Sequence, residues 1–267
     1  MQVRLLDRAR SVAAFHHDLA RQELGTDVLG VWLVGSAMLS DLTAKSDIDT
    51  VTLTTHPVQP EEHDAIARAH GSLGHAFPGV RHDTTYLSLA ALALPPEEGL
   101  VTPFSQDGRL RFDQPCGQVH PITWFTLPQA IPVAGGIAPG SVRIHADRAA
   151  ATEYSVRNLQ TYWADVAFSV REQASGRGAD EELSRSDTVV WMVLGAPRLA
   201  AFLAGMQTRG PVPSKSEAGR WVVRRIPRHA ELARRALRVR AGRPEPFTVR
   251  DAREAADLVM LLVHGHG

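Results

Sequence analysis

The chain has a single cysteine, no net charge and no long apolar run, and each shortage narrows what it can be. Cys116 is the one cysteine among 267 residues, so an internal disulfide framework and a cysteine metal cluster are both excluded. It reads as a packing residue. Twenty-nine basic side chains face 29 acidic ones, a balance that gives no whole-chain attraction to nucleic acid. No stretch reaches the roughly eighteen consecutive apolar residues of a membrane span. The start, Met-Gln-Val-Arg-Leu-Leu-Asp-Arg, is an amphipathic charged pattern rather than a signal peptide, so a cytoplasmic protein without membrane contact is expected. Internal repeats, low-complexity tracts and coiled-coil heptads are missing too, and a monomer is the expectation.

What is present points to an α+β chain in two parts. A hydrophobic content of 44% suffices for one large or two modest cores, and two is the expectation at this length. Residues 3 to about 24 have a helical stripe made by Leu5, Leu6, Ala9, Val12, Ala13, Leu19 and Leu24. A β-rich section follows. Residues 95 to 147 are broken by Pro115, Pro121, Pro128, Pro132, Gly135-Gly136 and Pro139-Gly140, which predicts short strands and loops. From Thr152 onward the pattern is helical. The expected division is residues 1–149, a mixed β-sheet with flanking helices, and 150–267, an all-helical bundle.

The chemistry concentrates at two places in the first part. Val28-Leu-Gly-Val-Trp-Leu-Val34 reads as a buried strand ending at Gly35-Ser36, where backbone N–H groups can approach phosphate without Cβ interference and Ser36 adds a hydroxyl. Ten residues later come Ser46-Asp47-Ile48-Asp49, opening a second β-like run, Ile48 to Thr55. Residues two apart on a strand share a face, so Asp47 and Asp49 can hold one hard cation such as Mg²⁺. The plainer alternative is a turn whose serine and aspartates make local backbone bonds.

A third acid on a neighbouring strand would complete such a site. A helix from Pro60 to about Ala76 can carry the chain across to Val80-Arg-His-Asp-Thr-Thr-Tyr-Leu87, which would place Asp83 beside the first two. Its role would be either a metal ligand or the base that deprotonates an acceptor hydroxyl. Its structural alternative is a strand-edge acid paired with Arg81 or solvated.

Together, Val34-Gly-Ser36, Ser46-Asp-Ile-Asp49 and the following acid resemble the nucleotidyltransferase superfamily that includes DNA polymerase β. Asn158-Leu-Gln-Thr-Tyr-Trp163, Val193-Leu-Gly-Ala-Pro-Arg-Leu199 and Pro213-Ser-Lys-Ser-Glu-Ala-Gly-Arg-Trp221 with Arg225-Ile-Pro227 are similar to the carboxy-terminal helical domain of aminoglycoside (3'')-adenylyltransferases. The resemblance implies AMP transfer from ATP to a hydroxyl of a streptomycin- or spectinomycin-class antibiotic. It also implies residue roles. Asp47 and Asp49 match metal-binding aspartates, while Gly35, Ser36 and Ser46 match the triphosphate site. Lys215 and Arg198 match cations that reach the phosphates, and Asp187 lies near a carboxylate that contacts the aminoglycoside. Asp83 stands where the family usually has a glutamate proposed as base, one methylene longer. Residues 110 to 140 do not follow the family pattern. The implied arrangement has ATP and Mg²⁺ between the two domains.

Several features have plainer explanations. Ser214-x-x-Glu217 reads as a capping box, which leaves Lys215 in the first turn of its helix. None of the twelve histidines has metal-ligand spacing, and His16-His17 and His264-x-His266 read as solvated terminal residues. Tyr162 and Trp163 read as inter-helix core. The nine arginines between Arg220 and Arg243 form either a solvated face or a docking face for RNA phosphates. A polycationic acceptor needs unpaired carboxylates, for which Asp187, Glu181, Glu182, Glu153 and Asp165 are candidates. For Glu181 and Glu182 helix-end electrostatics is the better account. Two other functions stay open: nucleotidylation of a protein or tRNA, and a non-catalytic nucleotide-binding module.

Overall fold

The computed structural model describes residues 2–184 and 186–265. The chain divides into two compact units, the first ending at Arg148 and the second beginning at Ala149, with Thr43–Lys45 grouped with the second.

The first unit opens with α1 (Gln2–Leu24), then β1 (Val28–Leu33), the short α2 (Gly35–Met38), β2 (Ile48–Thr54), α3 (His63–Ala76), β3 (His82–Ser88) and α4 (Leu89–Leu92). After these come β4 (Phe104–Gln106), β5 (Arg109–Arg111), α5 (Pro121–Thr126) and β6 (Ile131–Ala134); the strands are short as the proline-rich stretch predicts, and the six-residue helix α5 is an addition to that expectation. The strands form a six-stranded mixed sheet in the order β5-β4-β3-β2-β1-β6. β2 and β3 are parallel, and the other neighbouring pairs are antiparallel. A parallel pair cannot be joined by a tight turn, so α3 supplies the crossover that the run from Pro60 predicts.

Alternation along β2 and β3 gives the sheet two unlike faces. Val51, Leu53 and Leu87 enter a hydrophobic cluster with Trp32, Phe104, Trp124 and Leu127. On the opposite face, under α1 and α3, the strands present Thr50, Thr52, Thr84, His82 and Tyr86, all buried.

The expectation of solvated histidines fails at His16 and His17. The buried stripe of α1 is Ala9, Val12, Ala13, His16, His17 and Ala20, one helical face that includes both imidazoles. His16 is fully buried, and its Nε2 bonds Thr52 Oγ1 at 3.1 Å. Its ring lies 4.5 Å from that of His82 and 5.2 Å from that of His70, centroid to centroid. His82 bonds Thr50, and His70 meets the Tyr86 hydroxyl at 3.3 Å. Polar side chains are buried here because threonine hydroxyls and ring nitrogens satisfy one another across elements. His264 is exposed as expected; His266 lies outside the described residues.

The second unit is all helical in its regular elements. α6 (Arg148–Asn158) spans the boundary and runs through a π-helical turn, Leu159–Trp163, into α7 (Ala164–Ala174). α8 (Asp187–Leu203), α9 (Lys215–Arg225), α10 (Ala230–Arg240) and α11 (Val249–His264) complete it. Its core gathers Leu159, Trp163, Met192, Leu194, Val222, Leu232, Phe247 and Leu258. Trp163 packs on Trp191 at 4.5 Å between centroids, in the inter-helix role expected for it. Tyr162 departs from that expectation and is about half exposed, at 49%. Among the described residues no helix is long and apolar enough to cross a membrane.

The histidine cluster makes the first unit acid-sensitive. Burial lowers His16 well below the ordinary histidine value, takes His70 to about 4 and takes His82 to about 3. The native state holds these rings neutral while the unfolded chain protonates near pH 6.5, so stability is complete above that value and falls as pH drops toward 4. His70 alone should cost ~2 kcal/mol between pH 7 and 5. Urea unfolding at both pH values measures the loss, and His70→Gln should reduce it.

Candidate active site

Asp49 and Asp83 are Cα partners in the parallel ladder, on the sheet face opposite the histidines. Asp47 directly precedes β2. One carboxylate atom from each of Asp47, Asp83 and Asp107 lies within 4.8 Å of the others. Asp107 is the member of this group that sequence reasoning missed. It sits with Gly108 in the two-residue loop between β4 and β5, and both have positive φ, at 53° and 71°. Asp-Gly is the dipeptide such hairpin turns select, so a hairpin was legible there; its approach to Asp83 was not.

Asp83 organises the cluster. Its Oδ2 accepts the Asp107 N–H at 3.0 Å and its Oδ1 the Gly108 N–H at 2.9 Å, which pins the β4–β5 turn over the end of β3. Burial raises its proton affinity above an ordinary aspartate's; those two N–H groups oppose the shift, and the Asp47 and Asp107 charges add to it. The anticipated alternative, pairing of Asp83 with Arg81, does not occur. Arg81 Nε instead sits 2.5 Å from Asp47 Oδ1, so a guanidinium partly neutralises the acids.

Gly35 and Asp49 require each other. Gly35 has φ +58°, a left-handed conformation, and a Cβ there would lie 2.3 Å from Asp49 Oδ2. Val34 N–H also donates to the Asp49 carbonyl at 3.0 Å, so β1 delivers the Gly35-Ser36 turn against the start of β2. Ser36 and Ser46 are both half-buried. Three carboxylates, Asp47, Asp83 and Asp107, thus converge within the first unit, with Arg81 beside Asp47 and Asp49 outside that trio, against the Gly35-Ser36 turn. Such an oxygen-rich donor set suits a hard cation and its phosphate ligands.

The remaining candidates lie in the helical unit. Lys215 is the first residue of α9, and the expected capping box is present, Ser214 accepting from Glu217 N–H and Glu217 from Ser214 N–H. Arg198, half-buried on α8, donates from Nε to the Pro213 carbonyl at 3.0 Å, holding the segment that leads into Lys215. Asp187 is exposed in the first turn of α8. Glu153 and Asp165 are exposed, and Glu181 pairs with Arg177 at 2.6 Å. Within the arginine-rich segment, Arg234, Arg235 and Arg238 pair with Glu231, Glu245 and Asp251, so the charge of these three is balanced by neighbouring acids.

A six-stranded mixed sheet carrying clustered aspartates at the start of two parallel strands, followed by an all-helical region, is an α+β architecture consistent with a nucleotidyltransferase fold. The chain is similar to the crystal structure of spectinomycin adenyltransferase AAD(9) from Enterococcus faecialis with ATP and spectinomycin. That likeness covers 92% of this chain and 96% of the other, with a TM-score of 0.66 and 13% sequence identity, and is one of fold. No protein-family profile and no curated protein sequence matches the chain.

Gly35→Ala tests the turn. It should destabilise the protein by more than the ~1 kcal/mol of left-handed strain, because Asp49 must also move. Gly79→Ala is the control, with φ +76° and open space around the missing Cβ. Equal losses in denaturant unfolding would show that Asp49 does not press on Gly35.

Proposed function

We propose that this protein is a Mg²⁺-dependent nucleotidyltransferase that moves AMP from ATP to a hydroxyl of an aminoglycoside-type antibiotic of the spectinomycin and streptomycin class. The observation that carries the reading is the convergence of Asp47, Asp83 and Asp107, with Asp49 seated against the Gly35-Ser36 turn, on a fold similar to that of an adenyltransferase. The acceptor class rests on that neighbour, whose crystal structure contains ATP and spectinomycin.

In this reading Asp47 and Asp49 would hold the metal, with Arg81 beside Asp47. Bound Mg²⁺ would supply Lewis-acid neutralisation of charge developing on the phosphate oxygens. The Gly35 turn, Ser36 and Ser46 orient the triphosphate, and Lys215 and Arg198 add cationic neutralisation. Asp83 takes the proton of the acceptor hydroxyl as that oxygen attacks the α-phosphorus and pyrophosphate leaves. Its raised proton affinity suits a base better than an ordinary aspartate's would. Asp187 is the carboxylate assigned to a cationic group of the acceptor.

Pyrophosphate release from ATP, measured with spectinomycin, with streptomycin and without acceptor, tests the reaction. Release should require Mg²⁺ and one of the drugs, and Asp49→Asn should reduce it by at least about a hundredfold, the scale of losing a principal charge-stabilising group. Full turnover in Asp49→Asn would sink the mechanism. Turnover should rise with pH through the ionisation of Asp83, and Asp83→Asn should lower kcat and abolish that acidic limb. Lys215→Ala should chiefly raise the KM for ATP; an unchanged KM would remove Lys215 from the nucleotide site.

A further inference from the structure

At the end of the β1–β2 ladder away from the carboxylates, three side chains from three segments converge. Asp27 closes the 3-10 turn before β1, His56 follows β2, and Glu62 ends the 3-10 turn before α3. One ligand atom from each lies within 4.8 Å of the other two. β2 separates this trio from Asp47 by its seven residues, about 20 Å of extended chain. We propose that Asp27, His56 and Glu62 form a second metal site, for a divalent transition ion of the Zn²⁺ class.

Each ligand is held by a partner outside the trio. Asp27 Oδ1 accepts the Thr55 hydroxyl at 2.6 Å, which leaves Oδ2 toward His56. His56 Nδ1–H donates to the Pro57 carbonyl at 2.9 Å, so Nε2 is the nitrogen that faces the site. Glu62 Oε2 accepts the Gln59 N–H at 2.6 Å. A ring whose far nitrogen donates to a backbone carbonyl, beside carboxylates that are themselves hydrogen-bonded, is the usual support for metal-binding histidine.

The separation of His56 and Asp27 agrees with an ion between those two donors. His56 Nε2 and Asp27 Oδ2 are 3.5 Å apart, long for a charge-assisted hydrogen bond. Two donors on a tetrahedral Zn²⁺ at bond lengths of ~2.0–2.1 Å stand about 3.3 Å apart. One imidazole nitrogen with two carboxylates favours a borderline ion over Mg²⁺, which prefers oxygen alone. The three residues are half-buried, so water can complete the coordination. Loading would tie together the entrance to β1, the exit of β2 and the start of α3, and this site is independent of the function proposed for the carboxylates.

The test is calorimetric titration of the chelator-treated full chain with ZnCl2 in excess MgCl2. One tight equivalent is expected, retained in Asp47→Asn and weakened at least tenfold in His56→Ala and Asp27→Asn, with a Zn²⁺-dependent rise in Tm lost in the same two variants. Nitrogen-15 spectra of the parent protein should show His56 Nε2 shifting on Zn²⁺ addition, a readout that survives if a variant misfolds. Zn²⁺ affinity unchanged in His56→Ala, no binding by the parent, or an unmoved His56 resonance would each leave only an imidazole–carboxylate pair and overturn the proposal.

Discussion

The parallel register of β2 against β3 is the constraint on which the first unit depends, because it pairs Asp49 with Asp83 on one face and Thr50 with Thr84 on the other. Side chains alternate with period two, so a slip of one residue would turn one strand's aspartate toward the histidines and its threonines into the apolar cluster. Apolar contacts alone would hold such a register loosely. Thr50 bonds His82, Thr52 bonds Thr84, and the Thr84 N–H donates to Ser105, each a directional contact that fits one alignment. The polar half-core thus indexes the strands that carry the acids. Its cost is visible in the buried Nδ1 atoms of His16 and His82, which have no hydrogen-bond partner within the protein.

Placing several carboxylates together is itself unfavourable, and the structure offsets the repulsion in two ways. Arg81 brings a positive charge to Asp47, and two backbone N–H groups stabilise the charge on Asp83. The second device has a further consequence: the N–H groups belong to the β4–β5 turn, so holding Asp83 also draws Asp107 into the group. A stabilising contact for one acid is the means by which another arrives. Such a cluster is poised for a cation, because an added positive charge relieves repulsion that the fold otherwise bears.

The helical unit is organised by more local rules. The box of Ser214 and Glu217 begins α9, and the equivalent pair of Thr248 and Asp251 begins α11. Asp251 also receives Arg235, whose guanidinium lies 4.6 Å from the Phe247 ring centroid, so one acid caps a helix and closes an ion pair. Arg198 extends the same economy to the approach to α9. Its bond to the Pro213 carbonyl holds the residue just before the Ser214 cap.

Much of this was legible in the chain. The apolar run into Gly35-Ser36, the Ser-Asp-Ile-Asp strand, the crossover helix from Pro60 and the capping box at Ser214 all depend on residues within a few positions of one another. Short-range sterics and hydrogen bonding settle them. His16 and His17 were misjudged because their helical stripe includes Ala9, Val12 and Ala13, and only the meeting of α1 with β2 and α3 turns that stripe inward. Asp107 and the Arg81–Asp47 pair were equally out of reach, since separations of 24 residues from Asp83 and 34 from Asp47 are closed by strand pairing. The sequence by itself determined the elements, the glycine turn and the acidic pair beside it. Tertiary structure alone decided which acids share a site, which histidines lose water and how each is charged, because burial and electrostatic neighbours are properties of packed surfaces that no local pattern specifies.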